Sequence, residues 1–146
     1  MELAHVLKMA VDQGCSDVHI AVGMPPMMRH NGEITPIDAS LPTLSAEDTR
    51  RLIYSMLEAD QRTRLEANWE LDSSYEVPGL SRFRVNVFRQ RGSVAGVFRA
   101  IGENIPGFEE LGLSDTVRQL AMLPRGLVLV TGPTGSGKST TLAAMI

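Results

Sequence analysis

The most regular alternation of apolar and polar residues lies between residues 81 and 87. Apolar side chains occupy every second position, and polar side chains fill the positions between them: Phe83, Val85 and Val87 alternate with Arg82, Arg84 and Asn86. Because successive side chains of a β-strand point to opposite faces, this pattern predicts a strand with one buried face and one basic face. Turn residues flank it at 78–79 and 91–92, so the runs 71–77 and 94–101 should complete an antiparallel meander.

Apolar residues at helical spacing predict helices earlier in the chain. One helix covers Leu3 to Val11 and ends before Gly14. A second begins after Ser45, where an acidic residue three positions on, Asp48, makes a variant of the capping box. A third, charge-rich helix is predicted at about residues 59–67.

A strand and a hairpin are predicted between the first two helices. Residues 17–22 have the composition of a short strand. The dipeptide Asn31-Gly32 then separates two extended runs, residues 27–30 and 33–37. Asn-Gly in this setting is the strongest short hairpin signal. These elements and the meander together predict an α+β domain over residues 1–101.

The pattern changes after residue 101. Residues 102–113 have the composition of a linker, and a short helix is predicted at about 114–122. The continuous apolar run Leu127–Val130 then predicts a parallel strand that is buried on both faces. This strand should lead through a glycine-rich segment into a helix that begins at about Lys138.

The glycine-rich segment fits the pattern G-x-x-x-x-G-K-[ST] of a phosphate-binding loop. Its residues are Gly132, Pro133, Thr134, Gly135, Ser136, Gly137, Lys138 and Ser139. The glycines let backbone N–H groups converge on an anion, and the following helix N-terminus adds partial positive charge. We expect Lys138 to contact the β- and γ-phosphates of ATP, Ser139 to bind Mg²⁺ and Thr140 to lie near the α-phosphate. The alternative, a turn that binds nothing, leaves the entropic cost of the loop glycines unexplained.

Hydrolysis of ATP also requires a carboxylate that holds magnesium and polarises water at the end of another apolar strand. No apolar run in this sequence ends in a suitable Asp or Glu, and the chain stops at Ile146 within the predicted helix. We therefore expect a truncated chain, with a complete N-terminal domain and only the first strand, loop and helix of an ATPase domain.

Arginines cluster on the predicted meander. Arg82 and Arg84 share one strand face, and Arg99 lies in the neighbouring run. Guanidinium groups match phosphate oxygens in charge and geometry, so this cluster can reach a triphosphate. The alternative is a solvated face on which the arginines pair with Asp72 or Glu76.

Composition narrows the classes of function. The net charge is -3 and only 5% of residues are aromatic, which argues against nucleic-acid binding. No apolar stretch approaches the ~18 residues of a membrane span, so no direct membrane insertion is expected. Asp17 and His19 share one strand face but lack further metal ligands, and we interpret them as a structural polar pair. The single cysteine, Cys15, is expected to be a buried or half-buried thiol.

Four stretches of the sequence resemble one family. Residues 125–143 resemble its nucleotide loop, and residues 15–27 resemble its N-terminal signature. Residues 77–86 resemble its arginine strand, and residues 109–113 resemble its interdomain linker. This combination is similar to the PilT-like retraction ATPases of type IV pili, which belong to the secretion ATPase superfamily.

The resemblance implies a homo-hexameric motor that hydrolyses ATP with Mg²⁺ and powers pilus retraction, and so twitching motility. It implies a PAS-like N-terminal domain (1–101), a linker (102–113) and the beginning of a RecA-like ATPase domain (114–146). It further implies that Arg84 and Arg99, with Arg82 next, approach the phosphates and act in catalysis with Lys138. The implied location is cytoplasmic, at the periphery of the inner membrane, beside a pilus platform protein.

Two other functions stay open at this point. The chain by itself would be a non-catalytic PAS-like interaction module if its loop binds no nucleotide. A small P-loop kinase of nucleotides is the other possibility, but such enzymes usually carry the loop near the N-terminus, whereas here it begins at Gly132.

Overall fold

The computed structural model describes residues 1–102, 105–133 and 136–146. The chain divides into two compact units, Met1–Ile101 and Gly102–Ile146. Parts of two predicted segments lie outside the described residues: Glu103 and Asn104 of the linker, and Thr134 and Gly135 of the loop.

The first unit contains a six-stranded antiparallel sheet with the strand order β3-β2-β1-β6-β5-β4. Its strands are β1 (Asp17–Ile20), β2 (Met27–His30), β3 (Glu33–Pro36), β4 (Glu70–Val77), β5 (Ser81–Gln90) and β6 (Ser93–Ile101). Its helices are α1 (Leu3–Asp12), α2 (Ala46–Tyr54) and α3 (Ala59–Asn68). The mixture of helices and antiparallel strands agrees with the predicted α+β class.

The predicted meander is confirmed, because β4, β5 and β6 are successive antiparallel neighbours. Phe83, Val85 and Val87 are completely buried on β5, whereas Arg82 and Arg84, which alternate with them, are exposed. The sheet therefore has a core face and an open face. On the core face, one apolar cluster joins the strands to the helices, and burial of each large side chain contributes about 1.5–3 kcal/mol.

Two local predictions in this unit are also confirmed. Asn31 and Gly32 connect β2 to β3 with φ angles of 49° and 87°, as a type I′ hairpin turn requires. At the start of α2, the backbone N–H of Asp48 donates to Ser45 Oγ at 3.1 Å, and the N–H of Ser45 donates to Asp48 Oδ2 at 3.1 Å. These reciprocal bonds satisfy two helix-end donors and fix where α2 begins.

Two strands differ from their predictions by two or more residues. β1 ends at Ile20 rather than at residue 22, because its pairing with β6 stops at Gly96. β5 continues to Gln90 rather than ending at residue 87, because the two-residue turn that follows pairs Gln90 with Ser93. The ladder therefore extends to the turn itself.

The second unit contains α4 (Asp115–Ala121) and α5 (Lys138–Met145). The start of α5 was predicted correctly. The prediction of a buried strand at Leu127–Val130 is wrong: these residues form no strand, and Leu127 and Leu129 are 83% and 75% exposed. A strand needs the hydrogen bonds of a neighbouring strand, and none of the described segments pairs with this run. Among the described residues, no helix has the length and apolar character that crossing a membrane requires.

Candidate functional site

The loop before α5 brings its lysine back over its own backbone. Lys138 Nζ donates to the carbonyl oxygen of Gly132 at 2.8 Å and to that of Pro133 at 2.6 Å. Ser136 Oγ also donates to the Pro133 carbonyl, at 2.7 Å. Because two carbonyls hold the ammonium group, its charge lies over the loop rather than extending into solvent. The predicted contact of Lys138 with the β- and γ-phosphates stays a prediction.

Glycine is required at two positions of this loop for different reasons. Gly132 has a φ of 155°, and a Cβ placed there would lie 2.6 Å from Ser136 Oγ. Gly137 has a φ of 88° and is the N-cap of α5, a left-handed conformation that L side chains rarely adopt. A larger residue at either position would strain the loop backbone.

The first turn of α5 supplies the remaining candidate ligands. Ser139 and Thr140 are the second and third residues of the helix, and both are exposed. Helical bonding begins where the N–H of Thr141 donates to the Gly137 carbonyl at 2.9 Å. The earlier N–H groups of a helix have no acceptor one turn back, so they are donors that an anion can accept from. The arrangement fits a phosphate group, and the Ser139 hydroxyl is placed to serve as one oxygen ligand of a cation.

A second cluster of charges lies in the first unit, on the open face of the sheet. Arg29, Asp17, Arg99 and Arg84 occupy directly opposed positions on β2, β1, β6 and β5. Residues opposite each other across antiparallel strands share one face and lie close together. We call these four residues the charged row. It contains three guanidinium groups and one carboxylate, so it carries an excess of positive charge.

Asp17 is the centre of this row. Its carboxylate accepts from Arg99 Nε at 2.9 Å and from Ser16 Oγ at 2.9 Å, and it lies 3.6 Å from Arg29 Nε. Burial by itself would raise the pKa of Asp17, but the hydrogen bonds from Arg99 and Ser16 and the nearby positive charges outweigh burial. The pKa of Asp17 is therefore lowered, and the carboxylate stays ionised at neutral pH.

Arg84 and Arg82 have different surroundings from Arg99. Arg84 lies opposite Arg99, and the two guanidinium groups line a cleft of about 270 Å³ together with Asp72. Arg82 lies opposite Glu76 and makes one long hydrogen bond, from Nη2 to Ser74 Oγ at 3.4 Å. Among the described residues, no carboxylate oxygen lies within 4.0 Å of a nitrogen of Arg82 or Arg84.

The structure corrects the alternative in which the arginines pair with Asp72 or Glu76. Asp72 instead accepts from Asn86 Nδ2 at 3.2 Å, and the carboxylate that binds Arg99 belongs to Asp17. The predicted polar pair of Asp17 and His19 does share one face, but the partner of Asp17 is an arginine. Sequence reasoning missed this contact, since its residues lie 82 positions apart.

His19 lies two residues from Asp17 on β1 and lines a mainly apolar cavity. Its Nε2 atom is buried without a hydrogen-bond partner among the described residues. Burial lowers the pKa of His19, and Arg29 acts in the same direction, while the charge of Asp17 partly opposes them. Among the described residues, no group of three or more His, Cys, Asp or Glu side chains converges as a metal site. The single cysteine, Cys15, is half-buried against the core, as predicted.

Comparison with known proteins finds relatives whose similarity covers both the charged row and the glycine-rich loop. Residues 84–146 match the family described as Type II/IV secretion system protein. The whole chain is 46% identical to the type IV pilus retraction ATPase PilT of Pseudomonas aeruginosa and 42% identical to the type IV pilus ATPase PilU of the same organism. It also resembles the crystal structure of the pilus retraction motor PilT with bound ADP, with a TM-score of 0.89, 44% identity and 99% of the chain covered.

The chain belongs to the secretion ATPase superfamily. It spans 42% of the PilT sequence, 38% of the PilU sequence and 42% of the PilT crystal chain. Its six-stranded sheet corresponds to part of a secretion ATPase of this kind. The candidate arginines lie in the first unit of this superfamily member, and the glycine-rich loop lies in the second.

Proposed function

We propose that this chain is the ATP-binding part of a hexameric motor ATPase that powers type IV pilus retraction, and so twitching motility. The observation that carries the proposal is the contact of Lys138 Nζ with the Gly132 and Pro133 carbonyls at the start of α5. The 46% identity to a pilus retraction ATPase over the whole chain supports the choice of this function.

The loop binds the nucleotide in this proposal. Backbone N–H groups of the non-proline loop residues bind the phosphates, and Lys138 supplies a charge for the β- and γ-phosphates. Thr140 lies near the α-phosphate. Ser139 contributes one ligand to Mg²⁺, which when bound would neutralise charge on the phosphate oxygens.

The arginines of the open sheet face supply the second set of contacts. Arg84 and Arg99 contact the phosphates, with Arg82 beside them. Like charges directly opposite on neighbouring strands destabilise a sheet, so the pairing of Arg84 with Arg99 has a cost that bound phosphate would offset. An arginine that stabilises the transition state of phosphoryl transfer contributes about 10³–10⁵ in rate.

The domain organisation and the partners also belong to the proposal. The first 101 residues form a PAS-like domain, residues 102–113 form a linker, and residues 114–146 begin a RecA-like ATPase domain. The full-length motor works at the cytoplasmic side of the inner membrane, against a pilus platform protein.

Loss of Lys138 tests this function in the full-length protein. Lys138→Ala should abolish ATP hydrolysis and twitching motility. Lys8→Ala is a matched control, because Lys8 is the other lysine of the chain and pairs with Asp12 on the exposed side of α1. Normal hydrolysis by the Lys138→Ala protein would contradict the assignment. If the chain also failed to bind ATP at all, the non-catalytic interaction module would replace it.

A further inference from the structure

We propose that Asp17 is a positioning residue that orients the Arg99 guanidinium toward a nucleotide phosphate. This inference rests on the proposed function, in which Arg99 contacts the phosphates. It adds a role for a carboxylate that lies more than 100 residues before the phosphate-binding loop.

The Asp17 carboxylate has one well-defined orientation. Its side chain is only 9% exposed, on β1 of the sheet. Oδ1 accepts from Arg99 Nε at 2.9 Å, while Oδ2 accepts from Ser16 Oγ at 2.9 Å and lies 3.6 Å from Arg29 Nε. Since both oxygens have partners, the carboxylate is a fixed support for Arg99.

The bond to Arg99 uses only one edge of its guanidinium group. Asp17 accepts from Nε, and no described residue accepts a hydrogen bond from the terminal nitrogens of Arg99. The guanidinium group is planar and its donors form a rigid fork, so fixing Nε restricts the plane in which the terminal N–H groups point. With its side chain 69% exposed, Arg99 presents those N–H groups to an anion.

Arg29 has a different role in the charged row. Its Nη1 donates to the Gly32 carbonyl in the hairpin turn at 2.9 Å, while its Nε faces Asp17. Arg29 is therefore tied to the turn and supports Asp17 from the side opposite to Arg99. Of the two arginines that flank Asp17, Arg29 has one terminal nitrogen bonded to the turn, whereas neither terminal nitrogen of Arg99 is bonded within the described part of the chain.

Positioning and simple charge make opposite predictions for Asp17. A carboxylate near a phosphate repels it, so a pure charge effect predicts tighter nucleotide binding by Asp17→Asn. Positioning predicts weaker binding, because the terminal nitrogens of Arg99 lose their fixed direction. Asp72→Asn is the matched control, since Asp72 lines the same cleft as Arg99 but bonds to Asn86 rather than to an arginine.

The experiment measures the Kd of fluorescently labelled Mg-ATP for the whole chain and its variants. Asp17→Asn should raise the Kd by a factor of about 3 to 10, where tenfold corresponds to ~1.4 kcal/mol. Asp72→Asn should leave the Kd unchanged or lower it. In an Arg99→Gln background, Asp17→Asn should cause no further weakening. An unchanged or lower Kd for Asp17→Asn, or equal weakening in both backgrounds, would overturn the proposal.

Arg99→Lys is a second variant that leaves the buried Asp17 in place. Lysine keeps the positive charge but lacks the planar fork, so the Kd should rise by a factor similar to that for Asp17→Asn. An unchanged Kd for Arg99→Lys would show that orientation is unimportant and would overturn the proposal.

Failure of the proposed function gives a distinguishable result. If Arg99→Gln leaves the Kd unchanged, or if the wild-type chain binds no labelled ATP, then Arg99 has no phosphate role and both inferences fail. If Arg99→Gln weakens binding but Asp17→Asn does not, only the positioning role fails.

The NMR signal of Arg99 Nε–Hε, recorded without nucleotide, should shift in Asp17→Asn and stay unchanged in Asp72→Asn. A signal that does not shift in Asp17→Asn would contradict the positioning role independently of binding.

Discussion

Arg84 and Arg99 lie directly opposite each other on β5 and β6, and within the described part of the chain Arg99 has a carboxylate partner whereas Arg84 has none. Two guanidinium groups therefore face the same cleft, and the Asp17 carboxylate bonds to one of them, that of Arg99. Such an arrangement is unfavourable for the sheet by itself and favourable for binding a polyanion. The charged row should therefore lower the stability of the sheet while raising its affinity for a polyanion, and both quantities can be measured.

Replacing Arg84 should separate stability from binding. Arg84→Gln removes the repulsion with Arg99, so the free energy of unfolding should stay the same or rise by up to about 1 kcal/mol. The affinity for labelled Mg-ATP should fall. Arg82→Gln is the control for stability, because Arg82 lies opposite Glu76 rather than an arginine. Urea denaturation measures the stabilities, and a clear loss of stability in Arg84→Gln would show that the repulsion is unimportant.

The two faces of the sheet should respond differently to the same substitution. Phe98 is fully buried on the core face, so Phe98→Ala should lower the free energy of unfolding by about 3–5 kcal/mol. Phe88 is half-buried on the open face, and Phe88→Ala should cost distinctly less. Equal losses in urea denaturation would mean that both faces are covered to the same degree.

The elements that the sequence predicted correctly depend on local signals. Alternation along β5 separates buried Phe83 from exposed Arg84 without reference to any distant residue. The turn at Asn31-Gly32 and the capping bonds of Ser45 likewise involve neighbours within three positions. Because the cause of each feature lies inside its own segment, the pattern was sufficient to find it.

The features that the sequence did not predict depend on distant partners. Leu127–Val130 has the composition of a buried strand, but the hydrogen bonds of a strand come from another segment, and no described segment provides them. The contact of Asp17 with Arg99 depends on the register of β1 against β6, which no local pattern determines. The alternative that paired the arginines with Asp72 or Glu76 was therefore incorrect.

The stability of the first unit should depend on pH through His19. Burial lowers the pKa of His19 below its ordinary value of 6.5. As the pH falls below about 6.5, the unfolded chain binds a proton before the folded chain does, so stability should fall until the folded pKa is passed. Asp17 does not titrate in this range, since its pKa lies below 3.8.

His19→Gln should reduce this loss of stability between pH 7 and the folded pKa of His19. His30→Gln is the control, because His30 is exposed at the end of β2. Urea denaturation at several pH values measures the effect. The same pH dependence in the wild-type and His19→Gln chains would contradict the assigned environment of His19.

Backbone shape in the phosphate-binding loop should be necessary for nucleotide binding. Gly132→Ala would place a Cβ 2.6 Å from Ser136 Oγ, so the loop should shift. The affinity for labelled Mg-ATP should fall by about tenfold or more, which corresponds to a loss of ~1.4 kcal/mol. Gly107→Ala is the control in the same unit, because a Cβ there has no heavy atom within 4 Å and its φ is not positive. Unfolding of the first unit should be unchanged in both variants. Normal binding by Gly132→Ala would show that the loop geometry is not required.

The most direct test of the central claim is a titration of the chain with labelled Mg-ATP, compared with Lys138→Ala and Lys8→Ala. The wild-type and Lys8→Ala chains should bind the nucleotide saturably and with the same affinity. Lys138→Ala should lose binding, because it removes the ammonium group that lies over the loop carbonyls. Equal binding by all three chains, or no binding by any of them, would contradict a nucleotide site at this loop.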